Sequence, residues 1–246
     1  MCKILMKELS VVIPIYNEAK NLKSLISEIN AVKKKLKIKK FEVLFIDDKS
    51  EDGTKDILKK KIKKYSYLKH YVRQNKNKDL SKSCIAGFNK SRYKNILVMD
   101  GDMQHHPSYI YKIFKIFLNN KYDFVVGCRN FSSQKNIGLS FQRKLFSIIL
   151  IKVINFLLGF RTKDPMSGFF IFKKKFFLDN KNNLFSRGYK ILSDLIYSNQ
   201  ENIKVKDIFI YFDRRFGGKS KMSLKILLIL CIFIIKKFSI KILNKF

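Results

Sequence analysis

The chain has 246 residues, of which 46% are hydrophobic and 14% aromatic, so it is long enough for one large domain and too apolar for a disordered tail. Its formal net charge of +33 favours anionic partners: nucleic acid, phosphorylated small molecules or an anionic membrane face. The lysines are spread along almost the whole chain, however, and a general compositional bias explains this charge equally well.

The first half of the chain alternates short apolar runs with lysine-rich runs of helical period. Strands are predicted at 9–15, 41–46, 68–72, 95–99 and 124–126. Helices are predicted at 21–36, 54–65, 81–89 and 108–118. This alternation is typical of βαβ units and predicts an α/β fold, with a mostly parallel sheet flanked by helices. Such sheets bind ligands at the carboxyl ends of their strands.

The second half is more apolar. A long helix with a broad apolar face is predicted at 141–160, and the segments after it are a loop and short strand at 164–172, a helix at 189–197 and a strand at 205–212. The last predicted helix, at 223–246, contains an uninterrupted apolar run of ten residues, fewer than the ~20 that a membrane-spanning helix needs. We therefore expect a folded domain at 1–222, and at 223–246 an apolar helix that lies in a membrane interface or docks on a partner. Packing of this helix on the core is the remaining alternative.

Acidic residues are scarce, and four of them follow directly on predicted strands. Residues 47–48 are both aspartate, and Asp100 and Asp102 flank Gly101 after the fourth strand. Residues two apart in an extended segment project to the same side, and glycine lets the backbone approach a ligand closely. Together with the amide oxygen of Gln104, the two carboxylates suit Mg²⁺ or Mn²⁺ shared with substrate phosphates. For an isolated Asp-x-Asp, a solvated turn is the competing interpretation.

Seven short segments occur in a fixed order between residues 11 and 221. They are VVIPIYNE at 11–18, IDDKSEDGT at 46–54, VMDGDMQHHP at 98–107, VGCR at 126–129, DPMSGF at 164–169, RGYK at 187–190 and RFGGKSK at 215–221. In these segments the sequence resembles the family 2 glycosyltransferases with a GT-A (Rossmann-like) fold, and among them the dolichol- or polyprenol-phosphate mannose synthases. It departs from the family pattern at Gly101, Met103 and Arg214, none of which removes a functional group.

The resemblance implies a site for a nucleotide-sugar donor in the domain at 1–222. The residues implied to hold the nucleoside follow the first two strands: Pro14, Tyr16, Glu18, Ile46 and Asp48. The donor's diphosphate is implied to bind beside Gly101, through a divalent ion, Mg²⁺ or Mn²⁺. The residues implied to hold that ion are Asp100, Asp102 and Gln104.

Basic residues are implied at the phosphates: Arg129, Arg143, Arg215 and Lys221, with Arg143 placed to meet the phosphate of the acceptor. Arginine binds phosphate with bidentate geometry, and the chain keeps arginine at positions 129, 143, 214 and 215 although lysine dominates elsewhere. The residues expected to act directly in catalysis are Asp102, Arg129 and Arg215.

The implied reaction is a metal-dependent, inverting transfer of a hexosyl group, with mannose from GDP-mannose as the leading choice, to a dolichyl or polyprenyl monophosphate. A phosphate monoester with a second pKa near ~6 is largely dianionic at neutral pH, so it needs no catalytic base. A lipid acceptor also implies contact with a membrane surface. We expect a peripheral or monotopic enzyme on the cytoplasmic face, whose last helix meets the lipid or a small membrane-protein partner.

Three other functions compete with this one. In the first alternative the donor is a UDP-sugar of the glucose or N-acetylglucosamine type. Many transferases of that type carry two further transmembrane helices, so the single apolar helix here favours the mannose synthases. In the second, the acceptor is a saccharide hydroxyl, which needs a base, and Asp164 and Asp194 are the candidates. The third is nucleic-acid binding, which we do not expect because the sequence has no recognisable binding module or stacking pattern.

Overall fold

The computed structural model describes residues 7–74, 77–119, 121–129, 141–188, 190–199, 202–213 and 224–243. The strands in these residues are β1 (Glu8–Ile15), β2 (Lys40–Asp47), β3 (Leu68–Val72), β4 (Asn95–Val98), β5 (Phe124–Arg129), β6 (Phe170–Lys173) and β7 (Val205–Ile210). The helices are α1 (Ala19–Leu36), α2 (Thr54–Lys64), α3 (Leu80–Lys90), α4 (Tyr109–Leu118), α5 (Phe141–Leu158), α6 (Lys175–Asn180), α7 (Ile191–Ser198) and α8 (Leu224–Leu243), with a 3₁₀ turn at Lys181–Asn183.

The strands form one sheet in the order β3-β2-β1-β4-β6-β5-β7. Strand β1 pairs in parallel with β2 and β4, β2 pairs in parallel with β3, and β5 pairs in parallel with β7. Strand β6 runs antiparallel between β4 and β5. The predicted α/β class with a mostly parallel sheet is confirmed, whereas the direction of β6 and the short helix α6 after it were not predicted.

Both faces of the sheet are covered by helices, and the strands at its centre are accordingly apolar on both sides. Every residue of β1 is buried. Val11 and Ile13 belong to the core formed with α1 and α4, whereas Val12, between them, packs in the core formed with α3, α6 and α7. A strand buried on both faces reads as a continuous apolar run rather than an alternating one, as the LSVVIPI segment does.

The register of β1 brings the predicted site segments to one edge of the sheet. Pro14 is level with Ile46 of β2, and Val12 is level with Val98, the last residue of β4, so the three strands run to the same edge of the sheet. The amide of Asp48 donates a hydrogen bond of 3.0 Å to the carbonyl of Ile15, which extends this pairing by one residue. The loops that follow these strands therefore begin from neighbouring positions.

Helices α5 and α8 pack against each other through Ile154, Leu158, Phe233 and Ile234. Both helices keep large apolar side chains exposed, and Phe156 on α5, for example, is 85% exposed. The others on α5 and just after it are Leu145, Ile149, Val153 and Phe160, and those on α8 are Leu228, Ile232, Ile235 and Phe238. Within the described residues, neither of these helices nor any other combines the length and apolar character needed to cross a bilayer.

Helix α8 is held to the domain by a buried ion pair. The ammonium of Lys237 lies 2.9 Å from Oδ1 of Asp194 on α7 and donates a 3.0 Å hydrogen bond to the carbonyl of Asn183. Asp194 also accepts hydrogen bonds from the amides of Phe185 and Ser186, at 2.9 and 2.8 Å. Burial lowers the pKa of Lys237, and the Asp194 carboxylate opposes this effect. Asp194, considered above as a candidate base, is thus committed to a structural pair.

Replacing Lys237 by methionine tests this pair, because it leaves the buried Asp194 carboxylate without its countercharge. We expect Lys237→Met to lower the free energy of unfolding by about 3–5 kcal/mol, measured by urea denaturation. The matched control is Lys236→Met, since Lys236 is the exposed neighbour, and its expected effect is below about 1 kcal/mol. Equal losses in the two variants would contradict the assignment.

Candidate active site

The loops after β1 and β2 are tied together by hydrogen bonds. The amide of Glu18 donates to Oγ1 of Thr54 at 3.0 Å, and the amide of Ala19 donates to Oδ2 of Asp52 at 3.0 Å. The carboxylate of Glu18 accepts a 2.6 Å hydrogen bond from the Asn21 amide group. The segments VVIPIYNE and IDDKSEDGT, which the sequence analysis assigned to one nucleoside site, therefore lie against each other.

Tyr16 projects at this edge next to Lys78. The Lys78 ammonium lies 3.7 Å from the centroid of the Tyr16 ring and also bonds to its hydroxyl group. Lys78 is exposed and was not predicted as a site residue, because nothing in the pattern distinguishes it from the many other lysines. An aromatic face with a neighbouring cation is a surface on which a planar, negatively substituted ligand can stack.

Asp48 is buried and its carboxylate is held by two groups that the sequence analysis missed. Oδ1 pairs with the Arg73 guanidinium, and Oδ2 accepts a 2.9 Å hydrogen bond from the amide of Asp79. Arg73 also donates to Oγ of Ser83 at 3.0 Å. The sequence offered one indication for Arg73: it is an arginine directly after the third strand, in a chain whose basic residues are mostly lysine. These contacts fix the position of the Asp48 carboxylate.

Asp47 has a different role from its neighbour. Its Oδ1 accepts hydrogen bonds from the amide and the hydroxyl of Ser50, at 2.8 and 2.7 Å, and its Oδ2 lies 3.1 Å from Nε2 of His70. Burial alone would raise the pKa of Asp47, but the hydrogen bonds from His70 and Ser50 outweigh it and the net shift is downward. Asp47 thus anchors the loop after β2.

The acidic turn at 100–104 follows β4. Asp102 and Gln104 are buried, and the amide of Gln104 donates a 3.1 Å hydrogen bond to Oδ1 of Asp102. The Gln104 side-chain amide donates to the carbonyl of Asp213 at 3.2 Å, which ties the turn to the segment after β7. Met103 adopts a left-handed conformation with φ of 62°. The predicted ion-binding residues therefore belong to one tightly folded turn.

Two glycines allow close approaches around this turn. A Cβ on Gly101 would lie 2.8 Å from Cγ2 of Ile15, so the turn packs directly on the end of β1. A Cβ on Gly168 would lie 2.4 Å from Oδ2 of Asp100. The carboxylate of Asp100 therefore lies on the backbone of the DPMSGF loop, which is how that segment meets the acidic turn.

The oxygen groups of the turn fit a divalent ion. Within the described parts of the chain, no group of three or more His, Cys, Asp or Glu side chains has the arrangement to hold a metal ion by protein ligands alone. Mg²⁺ usually binds through one or two carboxylates together with substrate phosphates, and it keeps several waters. Asp100 and Asp102, with Gln104 next to them, supply such a partial set of hard oxygen ligands.

Arg129, at the end of β5, is paired with Asp164 in bidentate geometry. Its Nε donates to Oδ2 at 2.7 Å, and its Nη2 donates to Oδ1 at 2.8 Å. Burial would lower the pKa of Arg129, but Asp164 outweighs it and the pKa is raised. Asp164, the other candidate base, is thus the residue that positions Arg129.

Two further residues lie in this part of the site. His105 is buried between Phe169 and Phe212, and burial lowers its pKa to about 3, with the charge of Arg129 acting in the same direction. His105 is therefore neutral at physiological pH. Lys190, in the RGYK segment, directly precedes α7 and is half-buried. Burial and Arg129 lower the pKa of Lys190 to about 8, and Asp164 and Asp100 oppose this shift.

Three predicted phosphate-binding residues are not placed by these contacts. Arg215 and Lys221 lie outside the described residues. The backbone of Arg143 lies in the first turn of α5, but its side chain is outside the described part. The other predicted site residues all lie within two residues of the carboxyl end of β1, β2 or β5 or in the loops after β1, β2 and β4.

Comparison with known proteins identifies the relatives of this chain. The family model described as "Glycosyl transferase family 2" matches residues 10–179. The dolichol-phosphate mannosyltransferase of Pyrococcus furiosus is 33% identical over 218 residues, which are 88% of this chain and 59% of that protein. The enzyme of the same name from Saccharomyces cerevisiae is 28% identical over 229 residues, which are 90% of this chain and 83% of that protein. The chain thus spans less than two thirds of the archaeal relative.

A solved structure shares the fold. It is glucosyl-3-phosphoglycerate synthase from Mycobacterium tuberculosis in complex with Mn²⁺, uridine diphosphate and glucosyl-3-phosphoglycerate. It superposes with a TM-score of 0.68 and 15% identity, and the match covers 94% of this chain and 78% of the other. At this identity the likeness concerns the fold, and it confirms the predicted GT-A architecture.

The contact between Gly168 and Asp100 can be tested with Gly168→Ala. Because the added methyl group meets the movable end of a side chain, we expect the fold to tolerate it while the Asp100 carboxylate is displaced. Mn²⁺ affinity in the presence of a nucleoside diphosphate, measured by electron paramagnetic resonance, should fall about 10-fold or more.

The reference variant for this experiment is Asp102→Ala, which should abolish Mn²⁺ binding, and thermal unfolding without metal should be similar for Gly168→Ala and the unchanged protein. Unchanged Mn²⁺ affinity in Gly168→Ala would show that Asp100 takes no part in holding the ion.

Proposed function

Because the chain belongs to glycosyltransferase family 2, we propose that it transfers a hexosyl group from a nucleotide-sugar to a dolichyl or polyprenyl monophosphate. The leading donor is GDP-mannose, since three relatives at 26–33% identity are named dolichol-phosphate mannosyltransferase. The observation that carries the proposal is the common sheet edge at which Tyr16, Asp48 and the acidic turn begin.

In this proposal the nucleoside binds between the loops after β1 and β2. The ring of Tyr16 offers a stacking face, and the carboxylates of Glu18 and Asp48 accept hydrogen bonds from base or ribose. The pairing of Asp48 with Arg73 fixes the position of this acceptor before the donor arrives. Pro14 and Ile46, which are level with each other at the ends of β1 and β2, form the floor beneath it.

The donor's diphosphate is placed at the acidic turn. Asp100, Asp102 and Gln104 would hold Mg²⁺ or Mn²⁺ there, and the ion would neutralise negative charge on the departing diphosphate. Gly101, next to these residues, lets the backbone approach the phosphates. Arg215 and Lys221 are proposed as further phosphate ligands from the sequence resemblance alone.

The acceptor is proposed to be a phosphate monoester rather than a sugar hydroxyl. A dianionic phosphate oxygen is already a nucleophile, so positioning it in line with the anomeric carbon replaces base catalysis. The two carboxylates considered as a base support this choice, because Asp164 is held by Arg129 and Asp194 by Lys237. In-line displacement inverts the anomeric centre, so an α-linked donor gives a β-linked lipid phosphate. Arg129 and Arg143 are proposed to face this acceptor.

A lipid acceptor requires the protein to reach a membrane, and the α5–α8 pair is the proposed contact. Exposed apolar side chains on both helices offer area for burial among lipid chains. Lys152 and Lys236 are exposed on the same two helices, and each cation near an anionic surface contributes ~1 kcal/mol. We propose a peripheral or monotopic arrangement on the cytoplasmic face. Docking of α8 on a small membrane protein is the alternative.

The proposed reaction is tested by incubating the full chain with a polyprenyl phosphate and a panel of GDP- and UDP-sugars. We expect a lipid-linked sugar from GDP-mannose, and a loss of at least 100-fold in rate with a chelator or in Asp102→Ala. A UDP-sugar as the preferred donor would replace the mannose assignment. Turnover that is insensitive to both chelator and substitution would overturn the role of the acidic turn.

Membrane contact is tested by flotation with vesicles that contain phosphatidylglycerol. The unchanged protein should float, and the double variant Phe156→Glu, Ile232→Glu should remain in the dense fraction, because both positions are exposed on the α5–α8 pair. The control is Leu178→Glu, which alters an exposed leucine on α6. Loss of flotation in the control to the same degree, or an unchanged protein that never floats, would contradict the proposal.

A further inference from the structure

The start of α3 contacts both the loops of the nucleoside site and the segment that leads into α7, and Asp79 takes part in both contacts. We propose that Asp79 is a positioning residue: its side chain fixes the backbone of Gly188 relative to the nucleoside site, so that a bound nucleotide stabilises the segment before α7. This inference rests on the proposed function, which it deepens by naming a connection between the donor site and the helices beyond it.

The backbone of Asp79 is part of the nucleoside site. Its amide donates a 2.9 Å hydrogen bond to Oδ2 of Asp48, and its carbonyl accepts a 3.2 Å hydrogen bond from Nη1 of Arg73. The same nitrogen of Arg73 bonds to Oδ1 of Asp48 and, at 3.0 Å, to Oγ of Ser83. Asp48, Arg73 and the start of α3 therefore form one hydrogen-bonded unit. A nucleoside bound to Asp48 would restrict the motion of this whole unit.

The side chain of Asp79 uses its two oxygens for different contacts. Oδ1 accepts a 3.0 Å hydrogen bond from the amide of Lys82, as the N-cap residue of α3. Oδ2 accepts a 2.9 Å hydrogen bond from the amide of Gly188, which is 109 residues away in sequence. A helix cap needs only one side-chain oxygen, so capping does not explain the contact with Gly188.

A second hydrogen bond holds Gly188 on α3. The carbonyl of Gly188 accepts a 2.9 Å hydrogen bond from the amide of Ser81, in the first turn of the helix. Gly188 is buried and has a φ of 85°, a conformation that favours glycine. Its backbone thus both donates to and accepts from the start of α3, which fixes its position there.

The segment 185–188 lies between α3 and the apolar helix α8. A Cβ on Gly188 would lie 3.0 Å from Cγ2 of Ile229 on α8. The first two amides of the segment donate to Asp194, which pairs with Lys237 of α8. The segment is therefore attached to α8 through α7 at its start, and to the nucleoside site at its end.

These contacts predict a coupling between a bound nucleotide and the segment 185–188. The hydrogen bond from Gly188 to Asp79 holds the segment only while the start of α3 keeps its position, and Asp48 and Arg73 fix that position. A nucleotide on Asp48 favours the state in which this unit is intact, so it should slow local opening of the segment. Without the hydrogen bond to Asp79, most of this coupling free energy should be lost.

The test uses two variants that keep a cap-forming residue on α3 and remove the contact with Gly188. Asp79→Asn leaves one acceptor oxygen instead of two, and Asp79→Ser leaves a shorter side chain; asparagine and serine are both favoured at N-caps. The matched control is Asp56→Asn, the same chemical change at an exposed aspartate in the first turn of α2. Hydrogen exchange of peptides that span Gly188 is measured in the full chain by mass spectrometry, without nucleotide and with saturating GDP or UDP plus Mn²⁺.

In the unchanged protein, nucleotide should slow exchange of the peptide that spans Gly188 about 5-fold or more. In Asp79→Asn and Asp79→Ser this exchange should be faster, and its response to nucleotide should fall below about 2-fold. Asp56→Asn should respond like the unchanged protein.

Turnover distinguishes positioning from nucleotide binding. The backbone groups of residue 79 still hold Asp48 and Arg73 in both variants, so the KM for the nucleotide-sugar should stay within about 3-fold of that of the unchanged protein. The kcat should fall about 10-fold, because the segment before α7 is no longer held against the donor site.

Several results would overturn the inference. They are an exchange rate at Gly188 that does not respond to nucleotide in the unchanged protein, failure of that protein to bind GDP or UDP, a full response in the Asp79 variants, and an equal loss of response in Asp56→Asn. A response that depends on Asp79 in a protein that transfers no sugar to polyprenyl phosphate would support the positioning role and remove the proposed function. Sugar transfer without this response would do the reverse.

Discussion

The parallel pairing of β1 with β2 on one side and β4 on the other is the constraint on which the site depends. It sets Pro14 level with Ile46 and Val12 level with Val98, so three loops leave the sheet from one edge. The backbone pairing of these strands brings together side chains that are up to 88 residues apart in sequence, from Pro14 to Asp102. A slip of one residue in either pairing would turn the side chains of β1 to the opposite face and separate the loops.

Three buried carboxylates around this sheet are each paired with a cationic side chain from another part of the chain. Asp48 is paired with Arg73, Asp164 with Arg129, and Asp194 with Lys237. Each pair is buried, so removal of one partner would leave an uncompensated charge at a cost of several kcal/mol. The pairs therefore fix geometry: the first at the loops after β1 and β2, the second at the acidic turn, and the third between α7 and α8.

Much of the fold could be predicted because its signals are local. For the strands β1 to β5 and the helices between them, nearly all predicted ends lie within about two residues of the observed ones. Each of these elements is a short apolar run or a run with helical period, which can be recognised locally. The direction of β6 could not be predicted, because FIFK is too short to distinguish parallel from antiparallel pairing. The interface location of the last helix is still a prediction, since the contacts of α8 with α5 and Asp194 do not show what meets its outer face.

The site residues could be predicted where an acidic residue stands directly after a predicted strand. Asp48 and the acidic turn stand at strand ends, and motif order linked them to a family. Arg73 and Lys78 could not be distinguished in the same way, because basic residues are so common in this chain that one more carries little information. Their importance arises from tertiary contacts.

Helix α7 connects the loops of the candidate active site with the apolar helix α8. Its eight residues begin directly after Lys190, its Ser193 donates to the carbonyl of Pro165 in the DPMSGF loop, and it is tied to α8 through Asp194 and Lys237. Because an α-helix is stiff over two turns, a shift of α8 against the domain would move the start of α7 with it. The buried Asp194–Lys237 pair resists such a shift, since separating the two groups would leave each of them buried without its countercharge. The same pair that anchors the apolar helix therefore keeps the start of α7 against the DPMSGF loop.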